Sequence, residues 1–247
     1  DLIHLLSVAP CSVLPLRLGF RMIKGYPEAA GRAIAGARGD RPFKTLADFV
    51  RRTGLSKPML ARLSDADAFG SLGLNRRSGL WQVLSVEKPT PLFAALDAED
   101  ETPALADMPL GQQVLADYRT VGLSLTAHPL SLVRSEIKSL GVVPASALAE
   151  IADGAAVSVA GLVLVRQRPG TAKGILFATL EDETGIANLI IRPEVWQRHR
   201  SAARQASVLL ARGKLQRSQG VTHVRVTQLA DLSRLLPQMA STSRDFH

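Results

Sequence analysis

The sequence predicts an α+β multidomain chain: an all-α N-terminal region over residues 17–86, then a five-stranded β-barrel over 154–232. Three observations predict it. Apolar residues recur at helical spacing through the first part and alternate from about Ala155 onward. Gly, Pro and Asn/Asp punctuate each part at the intervals its elements need. Basic charge also falls into two blocks that coincide with the two parts. The remaining chain reads as an upstream remnant (1–16), an acidic Pro-rich linker (87–108), a helical connector (109–153) and a polar, mobile tail (233–247).

In the helical part, Pro27 suits the first position of a helix running to about Arg38. Thr45 with Asp48 three residues on resembles a capping box, and Leu46, Phe49 and Val50 form an apolar stripe behind it. Gly54 can end that helix in the left-handed conformation, and Ser56 can cap the next, with Leu60 and Leu63 inward. A further helix over 75–84 is expected to bury Trp81, and two more are read over 109–122 and 129–140.

Strands are expected over 157–166, 174–180 and 186–192, a short helix over 193–203, then strands over 207–215 and 221–228. Pro169-Gly170, Thr184-Gly185 and Gln219-Gly220 supply the turns. Three strands, a helix and two strands is the order of the OB-fold barrel.

The 247 residues are 46% hydrophobic, enough to build cores, and no apolar run reaches the ~18 residues of a membrane span. No signal peptide is visible, the chain begins with Asp1 as a fragment would, and a cytoplasmic location is expected. The single cysteine, Cys11, excludes an internal disulfide framework and a Cys-rich zinc site. Lys and Arg outnumber Asp and Glu by 13 to 5 over residues 13–79 and by 11 to 4 over 154–228, whereas acids lead by 10 to 4 over 80–153. Two basic blocks around an acidic middle fit an extended polyanion, or two solvated faces with no ligand.

The first basic block holds Met22-Ile23-Lys24-Gly25-Tyr26-Pro27, which looks like one hairpin of a helix-hairpin-helix element. Such a glycine turn aims backbone N–H groups at a DNA phosphate. Lys24 would add charge to Gly25's turn, while Pro27 has no N–H to donate. An ordinary helix–helix turn explains the same residues equally well. A second hairpin is read around Gly54-Leu55-Ser56-Lys57.

In the barrel, OB folds bind nucleic acid on strands 2 and 3 and on the 1–2 and 4–5 loops. Arg166, Arg168 and Lys173 fall on the expected 1–2 loop, and Lys214 and Arg217 on the expected 4–5 loop. Arg225 and His223 alternate outward on the last strand. Phe177 can be core or a stacking platform, and Trp196 is read as a plug. Leu92-Phe93 in the linker can dock into a partner or pack back on its own domain.

No catalytic constellation is found. Asp65-Ala66-Asp67 stands at a helix boundary, Glu181-Asp182-Glu183 reads as a solvated turn, His128 as a structural cap, and the five histidines are scattered. No cofactor or metal is expected in this chain.

Several segments resemble the C-terminal part of the bacterial C-family DNA polymerase alpha subunit. Residues 16–25 are similar to the opening of its tandem helix-hairpin-helix region and 66–73 to that region's close. Residues 117–130 resemble the stretch before its OB domain, and 159–163, 166–174 and 177–185 resemble the domain itself. Ser243-Arg244-Asp245-Phe246-His247 is similar to the ending of the damage-inducible, error-prone branch. The resemblance implies a translesion polymerase working with accessory proteins of a mutagenesis cassette. Its catalytic aspartates and Mg²⁺ would lie outside this chain, so the chain alone is expected to be inactive. The family's sliding-clamp motif is Gln-x-x-hydrophobic-Phe. Pro89 stands where Gln belongs, which argues against direct clamp binding and for recruitment through an accessory protein. A protein-docking module and an RNA-binding OB module are the competing readings.

Overall fold

The computed structural model describes residues 18–85, 103, 105–218 and 220–236, and the backbone of 244–246. The chain divides into two compact units at Ser124/Leu125.

The first unit is helical. α1 (Glu28–Arg38), α2 (Leu46–Thr53), α3 (Lys57–Asp65) and α4 (Arg76–Ser85) surround Ile23, Ile34, Leu46, Phe49, Leu60, Leu63, Phe69 and Val83. Phe49 packs edge-on against both Phe43 and Phe69, with ring centroids 4.8 and 5.4 Å away. Thr45 Oγ1 accepts from the Asp48 N–H at 3.0 Å, as the capping spacing predicts. Gly54, at φ 62°, closes α2 in the left-handed conformation, and its N–H donates to the Val50 carbonyl at 2.9 Å. Ser56 precedes α3 but makes no side-chain cap. α5 (Leu110–Thr120) belongs to this unit, so the stretch read as one connector is shared between the two.

Trp81 corrects an expectation: it is 50% exposed, not buried. α4 turns Gly79 and Val83 inward instead, and a Cβ on Gly79 would lie 2.8 Å from Ser64 Oγ. The close approach through a glycine leaves the large indole on the other side.

The second unit begins with a 3₁₀ turn at Pro129–Val133, α6 (Arg134–Lys138) and a second 3₁₀ turn at Ala145–Ala149. The barrel follows: β1 (Ala156–Gln167), β2 (Leu176–Asp182), β3 (Gly185–Ile191), β4 (Val208–Ser218) and β5 (Val221–Asp231). α7 (Pro193–Arg198) and α8 (Arg200–Gln205) stand where one helix is expected. β1 makes closure possible. Its first half pairs with β4, from Ala156↔Lys214 to Leu162↔Val208, and its second half with β2, to Gln167↔Phe177. β2–β3, β3–β5 and β5–β4 complete the OB-fold order. Alternate residues fill the interior, among them Val157, Val159, Val163, Leu176, Leu180, Leu189, Leu215, Val224 and Val226. Gly213 sits at a bulge in β4, against the Arg225 carbonyl.

Two more expectations change here. The tail is expected to be polar and mobile, yet β6 (Arg244–Phe246) pairs in parallel with β1 at Val165–Gln167. β4 has left β1 by then, and the vacated edge needs a partner. Glu181-Asp182-Glu183 is no solvated turn, because Asp182 is only 5% exposed. Its carboxylate accepts from the Ala145, Thr184 and Gly185 N–H groups and from Thr184 Oγ1. Arg134 forks onto both Asp182 and Glu183.

Candidate nucleic-acid interface

The pleat of the barrel sorts the outward residues into rows. Directly paired residues of neighbouring strands share a face. Phe177 pairs with Ile190, Ile190 with Arg225, and Arg225 with Lys214. One row therefore runs Phe177, Ile190, Arg225, Lys214 across four strands. The next runs Thr179, Asn188, His223, Gln216 on the same registers. Phe177 is half-exposed between buried Leu176 and Ala178, so it belongs to the outer face and not to the core. Thr179 Oγ1 donates to Asn188 Oδ1 at 3.2 Å. His223 lies in this face, with a buried Nδ1 that has no hydrogen-bond partner among the described residues. The two rows offer an aromatic face, amides and cations side by side.

Lys214 and Arg225 stand directly opposite each other and both are exposed. Like charges in that position cost stability, on the order of 0.2–1 kcal/mol. Among the described residues neither has a carboxylate partner. Lys214 was expected on the 4–5 loop; it lies within β4, as does Arg217.

Two of the expected contacts are committed elsewhere. Arg166 is 6% exposed, and its guanidinium donates to the Ala203 carbonyl at 2.9 Å and to the Ala206 carbonyl. Ala203 lies in the last turn of α8 and Ala206 caps it, where carbonyls lack intrahelical partners and the helix dipole is negative. Arg217 Nη2 donates to the Leu148 and Ala149 carbonyls at 2.9 and 2.6 Å, and its N–H to Asp153 Oδ1 at 2.9 Å. It fastens the residues before β1 to β4.

The 1–2 loop keeps Arg168 and Lys173 on the surface. Arg168 Cζ lies 4.8 Å from the centre of the Trp196 ring, and Arg200 Cζ lies 5.3 Å from it. Lys173 turns the chain at φ 49°, followed by Gly174 at φ 80°. Trp196 is partly buried against the barrel core, as a plug would be. Arg200 was overlooked in the sequence, since only the tertiary contact with Trp196 distinguishes it from other arginines of the block.

In the helical unit Lys24 is also engaged. Its N–H donates to the Thr120 carbonyl at 2.8 Å and its Nζ to the Tyr118 carbonyl at 2.9 Å, which closes the end of α5. Gly25 adopts φ 66°, and its carbonyl accepts from Arg62. The Tyr26 N–H donates to the Ile23 carbonyl at 3.1 Å. Pro27 has no donor, and among the described residues the Gly25 N–H and the Glu28 and Ala29 N–H groups that open α1 have no partner. Tyr26 packs its ring 6.1 Å from Phe20, and burial pushes its hydroxyl up to about 12.

The second hairpin also leaves donors free before a helix. Gly54 turns the chain between α2 and α3, and among the described residues the Leu55 and Ser56 N–H groups have no partner. Both precede the N-terminus of α3, where donors and dipole favour an anion. Lys57 Nζ reaches away, to the Leu84 carbonyl at 3.0 Å. Leu92 and Phe93 lie outside the described residues.

The charge block over 154–228 is thus partly spent inside the fold. Arg168, Lys173, Lys214 and Arg225 remain available from the expected set, and Arg200 joins them.

Comparison with known proteins follows the same division. Residues 6–79 match the helix-hairpin-helix motif family, and residues 157–232 match the OB-fold nucleic acid binding domain. The error-prone DNA polymerase of Anaeromyxobacter dehalogenans strain 2CP-C is 45% identical over 97% of this chain. Error-prone DNA polymerase 1 of Rhizobium meliloti is 42% identical over 94%, and the error-prone DNA polymerase of Caulobacter vibrioides is 44% identical over 91%. In each case the chain spans 21% of the relative's length. The solved E. coli hypothetical protein ygiW overlaps 37% of this chain at a TM-score of 0.30 and 14% identity, too distant to add to the argument. Identity of 42–45% is thus sustained through both units to proteins named error-prone DNA polymerase, of whose length the chain spans about a fifth.

Proposed function

We propose that this chain is the DNA-holding part of an error-prone polymerase that acts in translesion synthesis. The observation that carries the reading is the outward row Phe177, Ile190, Arg225, Lys214. It places two unpaired cations in opposition beside an aromatic face, at a cost in stability that a polyanion would offset. The Leu55 and Ser56 donors before α3 offer a duplex phosphate a second point of attachment. Nucleotide transfer, with its carboxylates and Mg²⁺, belongs to the rest of the polypeptide. The chain by itself therefore binds a primer–template without extending it. Recruitment to damaged DNA falls to accessory proteins of a mutagenesis cassette rather than to direct clamp contact.

Fluorescence anisotropy with a labelled primer–template tests the reading. At ~5 phosphate contacts the log–log dependence of affinity on salt has a slope of about −4. Absence of binding at low salt, or binding indifferent to salt, would overturn it. Tighter binding to RNA than to DNA of the same sequence would redirect it to an RNA-binding module.

A further inference from the structure

Three segments meet at Trp196. Arg168 comes from the loop after β1, Arg200 opens α8, and the ring itself stands on α7. A Cβ on Gly174 would lie 3.4 Å from Arg168 Nη2 and 3.5 Å from Pro193 Cγ, so the loop runs against the start of α7. Both guanidinium carbons lie within cation–π range of the one ring, at 4.8 and 5.3 Å. They are therefore no more than about 10 Å apart, within one Debye length at 0.1 M salt. Both side chains are exposed, and among the described residues neither has a carboxylate partner. Two like charges are gathered on one aromatic surface, and among the described residues no carboxylate lies within ion-pair distance of either.

Stacking uses the flat face of a guanidinium and leaves N–H donors along its edge. Those edges match the oxygens of a phosphate, and the ring restricts the motion that a long exposed side chain would lose on binding. The position also fits. Gln167 pairs with Phe177, so Arg168 begins where the outward row Lys214, Arg225, Ile190, Phe177 ends.

We propose that Arg168 and Arg200, held by Trp196, form a clamp for a backbone phosphate of the nucleic acid, and that the strand leaves the β2–β3–β5 face over α7 and α8. Trp196 is a positioning residue. The inference rests on the DNA-binding reading above and adds a site and a direction to it.

The test is anisotropy with labelled oligo-dT over a salt series, using the full chain and Arg200→Gln, Arg168→Gln and Trp196→Phe. Circular dichroism checks that each variant folds. Each arginine variant should bind several-fold more weakly, with a salt slope shallower by about 1. Trp196→Phe keeps both charges and should weaken binding with little change in slope. In a Trp81→Phe background, oligo-dT should change Trp196 emission, and that change should be lost in Arg200→Gln. Unaltered affinity and slope in both arginine variants of a chain that does bind would overturn the clamp alone. A wild-type chain that does not bind would overturn the DNA-binding reading and the clamp with it.

Discussion

Six cations show how a residue's charge differs from its availability. Arg166 and Arg217 in the barrel unit, and Lys24, Arg52, Lys57 and Arg76 in the helical unit, all donate to backbone carbonyls. Most of those carbonyls lie at helix ends, where hydrogen-bond partners are missing and positive charge is favoured. Arg166→Met should therefore act on stability. Removing a charged donor from two buried carbonyls costs about 2–3 kcal/mol, read as a lower denaturation midpoint. Oligo-dT affinity below the transition should stay as it was; weaker binding at unchanged stability would return Arg166 to the interface. Gly213 is constrained in a different way. A Cβ there would lie 2.2 Å from the Arg225 carbonyl, so Gly213→Ala should destabilise the barrel by about 1–3 kcal/mol. An unchanged midpoint would mean that the β4 bulge relaxes freely.

Elements were legible where local chemistry decides them. The expected strands coincide with β1 to β5 to within a few residues at each end, because alternation and Gly-containing turns act over short range. The capped start of α2 and its left-handed end at Gly54 were likewise visible. The β2–β3 turn was visible at Thr184-Gly185, but the burial of Asp182 beside it was not, since Arg134 and the Ala145 N–H reach it from tens of residues away in sequence. That turn has a pH dependence. Burial raises the Asp182 carboxyl, but hydrogen bonds from Thr184 and the Ala145 N–H, with the charge of Arg134, outweigh it and hold it below the usual range. Glu183 is likewise held low by Arg134 against burial. Burial lowers His128 below its ordinary 6.5, against the pull of Glu181, Glu183 and Asp182. For every one of these groups the unfolded chain binds protons more readily, so stability is full above the unfolded value and declines as pH falls. Midpoints of denaturation should begin to drop below about pH 6.5 and drop further in the carboxylate range. His128→Gln should flatten the upper part of that decline and Asp182→Asn the lower. An acid limb that is the same in both variants would place the titrating groups elsewhere.

At the scale of the whole molecule, the two basic blocks fit a polyanion partner but do not say where it would lie. Exposure and pairing decide that, and they yield opposite expectations for two double substitutions. Lys214→Gln with Arg225→Gln should make the salt slope of DNA binding shallower by about 2 and leave stability unchanged or raised, since it relieves a like-charge pair. Arg52→Gln with Arg217→Gln removes as much charge but should lower stability and leave the slope alone. Equal slopes for the two would mean that charge count, not placement, governs binding. By itself the sequence determined the division into a helical part and an OB-fold barrel, the strand order and most turns. These follow from periodicity and turn chemistry, which operate between near neighbours. Only the tertiary structure decided which cations face outward, that Trp81 is exposed, that Asp182 is buried, and that Arg168 and Arg200 share one indole ring. Each of these depends on residues far apart in the chain, whose contacts come into being only when the barrel closes or the helices pack.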